Sequence, residues 1–217
     1  MTDFQALRAF VEAGGTLYCS YDGLAVDGFE ELFGVDIVCS SVPQGDAWSL
    51  HVPGRESPLS GPLPSPISPL HVKRHLSVSA RSAKGMSSSL LVNEYGQGHA
   101  VLVTIPFEFC LAMTPYAFEH GCQPYHEVYS FVGKLAGIKG MQAEANPAVE
   151  TREFSSGARR VIVLANHEPH VHTVSVIVPG GAAQRAWSWR RNAPVRLEEG
   201  VLRLKLGPSE GDIVEIT

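Results

Sequence analysis

Residues 4–20 constrain this chain more than any other stretch, because they read as a helix, a stop and a strand in immediate succession. Phe4, Leu7, Phe10 and Val11 fall on one face of a helix over 4–13, with Asp3, Arg8 and Glu12 elsewhere. Gly14 can take the positive φ that closes a helix without a Cβ clash. Thr16 to Ser20 then supplies β-branched and aromatic residues in a short run. A strand delivered by a glycine turn straight after a helix is the second half of a β–α–β crossover. The strand to which the helix should connect back is absent from the sequence, so the chain is expected to be the back portion of something larger. Strand 16–20 is then expected to keep an open edge beside an uncovered helix face. Such features favour association, and the isolated chain is expected to be oligomeric or poorly soluble.

A length of 217 residues allows one large domain or two small ones. No run of about 18 apolar residues occurs, so no membrane span is expected, and no basic region followed by an apolar stretch marks a signal peptide. The net charge of −5 is uneven. Residues 1–147 hold 8 Lys+Arg against 14 Asp+Glu, whereas residues 148–217 hold 9 against 8. Neither part has a basic patch suited to nucleic acid, and Arg190-Arg191 reads as a solvated hairpin end. The four cysteines, Cys19, Cys39, Cys110 and Cys122, show no CxxC spacing. They read as buried free thiols in a reducing cytoplasm.

Downstream, Asp27 and Glu30 have the spacing of a capping box for a short helix through Phe29, Leu32 and Phe33 that Gly34 ends. Val35–Val38 and Trp48–Val52 are extended candidates. Residues 53–70 carry six prolines (Pro53, Pro58, Pro62, Pro64, Pro66 and Pro69) and read as a long surface loop, with a lid or partner-binding arm as its functional alternative. His71–Ser79, Leu90–Val92 and His99–Ile105 read as strands, the last two joined by a glycine-containing hairpin. Tyr125, Val128, Tyr129, Val132 and Leu135 recur at helical spacing, with Pro124 at the start and Gly137 at the stop. From Val149 the pattern changes to seven short strands: 149–154, 159–165, 171–178, 185–189, 195–197, 201–206 and 212–216. They indicate a small antiparallel sandwich. The fold class is therefore α/β followed by all-β, with domains at 1–147 and 148–217. The second is small for an independent core and should lean on the first.

These pieces, in this order, carry a resemblance. "LRAFVEAGGTLYCSYDG", "NEYGQGHAVLVTIP", a helix, and "PAVETREFSSGARRVIVLANHEP" are similar to the back half of multidomain glycoside hydrolases, the β-galactosidases with a trimerisation domain above all. The resemblance implies a partial flavodoxin-like domain, related in fold to class I glutamine amidotransferases, followed by a C-terminal β-domain. It further implies a (β/α)8 barrel that this sequence lacks, together with the two carboxylates that glycosidases need. The role implied is a non-catalytic one in oligomerisation and support of a barrel carried elsewhere. The partners would be further copies of the chain or a barrel-bearing chain.

Candidate chemistry is sparse. Cys19 follows a strand, as an amidotransferase nucleophile would, but Tyr18 and Ser20 replace the glycines that a sharp nucleophile turn needs, so it reads as packed. His167, Glu168, His170 and His172 form a dense run of metal-ligand types, with surface hairpin as the plainer reading. His120, Cys122 and His126 invite the same suspicion. Trp187 and Trp189 share one strand face and, with Trp48, are candidates for stacking on carbohydrate. Glu30-Glu31 and Glu198-Glu199 lack the setting of a general acid/base pair. No cofactor is expected. Two alternatives to the structural role stand beside it: a carbohydrate-binding module using Trp48, Trp187 and Trp189, and a small stand-alone hydrolase.

Overall fold

The helix–glycine–strand step forms where its spacing predicts. The structure is a computed structural model that describes residues 3–23, 25–42, 47–63, 74–87, 89–117, 122–144, 146–157, 159–178 and 185–217. Helix α1 (Asp3–Glu12) ends at Gly14, whose φ of 107° needs a residue without a Cβ, and β1 (Thr16–Ser20) follows. The chain divides into two units, Met1–Ala117 with Cys122–Ile138, and a second running from Lys139 to Thr217. Strand outweighs helix in both.

The first unit continues with α2 (Phe29–Phe33), β2 (Val35–Ser41), β3 (Ala47–Leu50), β4 (Leu59–Pro62), β5 (His75–Ala80), β6 (Lys84–Ser87), β7 (Leu90–Tyr95), β8 (Gly98–Val103), α3 (Phe107–Ala112) and α4 (His126–Leu135). Its main sheet has the order β1-β8-β7-β6. The β1–β8 pairing is parallel, with Thr16 opposite His99 and Ser20 opposite Val103. The remaining ladders among the described residues are antiparallel. The sheet is therefore mixed, because β7 and β8 are joined by a two-residue turn at Gly96-Gln97, too short for a crossover.

Both faces of this sheet are buried. Val101 and Val103 point into a core with Leu90, Phe107, Leu111 and Val128, while Ala100 and Leu102 point into a second core with Val11, Leu32, Phe33 and Leu91. That is why β8 reads as an unbroken apolar run rather than an alternation. Gly98 lets α1 approach closely: a Cβ there would lie 2.1 Å from the Gly15 carbonyl oxygen and 2.3 Å from that of Val11.

Two expectations fail locally. The capping box at Asp27/Glu30 does not form. Gly28 is the N-cap of α2 with φ 82°, no side chain caps it, and Glu30 instead accepts a 2.6 Å hydrogen bond from the Ile37 backbone N–H. The proline-rich stretch is not loop throughout. Leu59–Pro62 pairs antiparallel with β3 and buries Leu59 completely, with Pro62 at the strand end where a missing donor is tolerated. Residues 64–70 lie outside the described residues.

The second unit contains β9 (Val149–Ser156), β10 (Arg159–Asn166), β11 (His172–Ile177), β12 (Ala186–Ser188), β13 (Ala193–Val195), β14 (Leu197–Glu198), β15 (Val201–Leu206) and β16 (Gly211–Ile216). A five-stranded sheet, β13-β12-β16-β10-β9, and a three-stranded sheet, β11-β15-β14, enclose one core through Ile162, Leu164, Val214 and Ile216 on one side and Val174, Val176, Leu202 and Leu204 on the other. The single strand expected at 195–197 is two, which change sheets across Arg196. The unit starts earlier than 148, because residues just after Lys139 add along β11: Ile177 N–H donates to the Met141 carbonyl, and Ala143 N–H to that of Ser175.

Candidate functional site

Strand β1 ends the main sheet, and among the described residues β8 is its only ladder partner. Beside it, α1 buries Val11 but leaves Leu7 41 % and Phe10 54 % exposed. An edge strand with unpaired backbone groups next to exposed apolar side chains is a template for further β structure. Near the same edge, Glu108 on α3 accepts hydrogen bonds from the Tyr18 hydroxyl at 2.6 Å and the Tyr129 hydroxyl at 3.2 Å. Burial, reinforced by Glu108, drives both phenols above the ordinary tyrosine range, so they serve as donors that fix α3 and α4 against β1.

Cys19 packs among the apolar residues under the α1 face of the sheet, and burial followed by the Glu108 charge pushes its thiol up to about 11. A thiol protonated at neutral pH is a poor nucleophile. Burial does the same to Cys110, also to about 11. The expectation of four buried cysteines is corrected: Cys39 and Cys122 are exposed.

A cleft of about 530 Å³ opens in the first unit, lined by Trp48, His75, Ser41, Ser77, Ser89 and Thr104 among others. Burial lowers the pKa of His75, which favours its neutral form. Trp48 Nε1 and His75 Nε2 are buried without hydrogen-bond partners among the described residues. The described lining carries no carboxylate. Trp48, a candidate for stacking on carbohydrate, is turned into the core rather than out to solvent. It is 2 % exposed, because the alternation of β3 turns it inward against Phe107 and Tyr125 at ring-centroid distances of 5.5 and 5.6 Å.

The histidine run forms a turn between β10 and β11, with contacts both within the run and to Asn146 and Glu150 outside it. His172 Nε2 lies 2.8 Å from Glu168 Oε2, and His172 Nδ1 lies 3.3 Å from Asn146 Nδ2. Exposed His167 is 3.3 Å from Glu150. The buried Asn166 amide donates to the carbonyls of His170 and Gly207 and accepts from the Glu168 N–H, which closes the turn. His172 and His167 thus face separate carboxylates, and no three metal-ligand side chains converge among the described residues. His126 opens α4 and Cys122 is exposed, while His120 lies outside the described residues.

Trp187 and Trp189 are 42 % and 57 % exposed on the outer face of the five-stranded sheet. Register puts Trp187 beside Glu215, and the Trp189 N–H donates to the Ile213 carbonyl. Glu31 pairs with Arg8, and Glu198 with Arg196, so one acid of each tandem sits in a surface ion pair. Sequence reasoning passed over Glu108, His75 and buried Asn93. The first two carry no spacing signal. Asn93 sat in a supposed turn but lies in β7, where it donates to the Leu32 carbonyl at 2.9 Å and accepts from Ser82 Oγ.

No protein-family model matches this sequence, and no curated protein matches it. Solved structures do share the fold. The β-galactosidase from Bacillus circulans sp. alkalophilus is 12 % identical with a TM-score of 0.63, the match covering 98 % of this chain and 30 % of that one. The β-galactosidase from Rahnella sp. R3 is 15 % identical with a TM-score of 0.62, over 97 % of this chain and 30 % of that one. The α-L-fucosidase isoenzyme 2 from Paenibacillus thiaminolyticus is 12 % identical with a TM-score of 0.64, over 100 % of this chain and 39 % of that one. This chain therefore spans well under half the length of the solved chains it matches.

Proposed function

We propose that this chain is a non-catalytic region of a glycoside hydrolase system. Its first unit is part of a flavodoxin-like domain that supports a catalytic barrel carried elsewhere and takes part in assembly. The observation that carries this reading is the open β1 edge beside exposed Leu7 and Phe10. A strand paired on one side only can accept a further strand along its free side. The fold shared with two β-galactosidases and a fucosidase, over a minor part of each, supports a glycosidase context. Reduced thiols suit a cytoplasmic setting. No helix among the described residues is long and apolar enough to cross a membrane.

The experiment is hydrolysis of a panel of nitrophenyl glycosides, β-galactoside and α-fucoside included, by the purified chain. The expected result is release no faster than in buffer. Turnover that survives repurification would overturn the non-catalytic reading and favour a stand-alone hydrolase.

A further inference from the structure

The outer face of the five-stranded sheet carries an aromatic platform that the structural role leaves unused. In an antiparallel ladder, residues directly opposite one another point to the same side. One row across the sheet therefore runs Trp187, Glu215, Val161, Phe154, and the next holds Trp189 beside Ile213. Trp187, Trp189, Phe154 and Ile213 are all exposed. Trp187 lies in β12 and Trp189 in the turn that follows it, two positions on, so both side chains stand on the same exposed face.

The Trp189 ring is held rather than loose. Trp189 Nε1 donates to Glu215 Oε2 at 3.2 Å, and Arg159 Nε donates to Glu215 Oε1 at 2.7 Å. The Arg159 hydrogen bond, with the Trp189 contact adding to it, keeps the Glu215 carboxyl below its ordinary range, so the acceptor stays ionised. The charges of Arg159 and Glu215 offset each other. What remains is flat apolar ring surface beside a carboxylate and a guanidinium with spare hydrogen-bonding capacity. The ligand matching that combination has apolar C–H faces for stacking, hydroxyls that both donate and accept, and no net charge.

We propose that this face, centred on Trp187, Trp189 and the Glu215–Arg159 pair, binds a neutral glycan chain. The site lies wholly within the second unit and does not depend on the reading of β1. Pre-ordering Trp189 through Glu215 lowers the ordering cost of binding.

The test is affinity electrophoresis of the full chain in gels containing β-1,4-galactan, xyloglucan, xylan, laminarin or hydroxyethylcellulose. Retardation in at least one gel is expected. Trp187→Ala and Trp189→Ala should each weaken it by roughly tenfold, and Trp189→Phe should restore part of the loss. Both indoles are exposed, so the variants should keep the wild-type circular dichroism and melting temperature. Wild-type mobility unchanged in every gel would overturn the proposal, as would retardation that persists in the double alanine variant. A double variant that alters only the sedimentation coefficient would make the face a protein contact and overturn it equally.

Discussion

Replacing Gly98 by alanine tests the packing that presents β1. The new Cβ would lie 2.1 Å from the Gly15 carbonyl oxygen and 2.3 Å from the Val11 carbonyl oxygen. Both obstacles are backbone atoms, so no rotamer change relieves them. Restoring ordinary contact requires the end of α1 and the start of β1 to move about 1 Å from β8. Overpacking of this kind costs about 1–3 kcal/mol, against a total stability of about 5–15 kcal/mol. For a chain of this size each kcal/mol moves the melting temperature by roughly 2–4 °C, so a fall of about 2–12 °C is expected. Gly133 is the control: it sits inside α4, and an added Cβ meets nothing within 4 Å. Alanine there should stabilise by up to about 1 kcal/mol through helix propensity. Urea titration followed by circular dichroism reads both variants. A neutral Gly98→Ala would refute the close approach of α1 to β8.

Asn93→Ala should cost about 1–3 kcal/mol in the same titration, because it leaves the Leu32 carbonyl without its buried donor; a smaller loss would mean water reaches that carbonyl. A thiol reagent at pH 7 should modify exposed Cys39 and Cys122 quickly, with Cys19 and Cys110 reacting only on unfolding. Mass-mapped labelling decides the order. His75 has its folded pKa depressed by burial. Its stability contribution is therefore present above the ordinary histidine range and lost as pH falls through the folded value, while the unfolded chain binds the proton first. The melting temperature should fall from pH 7 to 5, and His75→Gln should flatten that slope; an unchanged slope would assign the acid sensitivity to other groups.

Much of the local architecture was legible because it rests on periodicity and punctuation. The helix through Phe4 and Val11, the Gly14 stop, the hairpin ending in β8 and the alternation of Leu202, Leu204 and Leu206 all follow from spacing. What spacing could not supply was pairing. Nothing in Leu59–Pro62 announces that it would find β3, and composition misled because a proline at a strand end removes no needed hydrogen bond. The same gap governs the site residues. Trp48 and Trp187 are both tryptophans in short strands, yet the register of β3 buries one while that of β12 exposes the other. Glu108 gains its role from Tyr18 and Tyr129, which lie far from it in sequence.

The most direct measurement of the central claim is sedimentation equilibrium of the purified chain across a wide concentration range, beside a Leu7→Glu/Phe10→Glu variant. Both side chains are exposed, so the variant should fold as the wild type does. An edge strand seeking a partner predicts concentration-dependent association of the wild type, weakened in the variant. A wild-type monomer at every concentration, with a high melting temperature, would contradict the claim that β1 is a seat for further β structure.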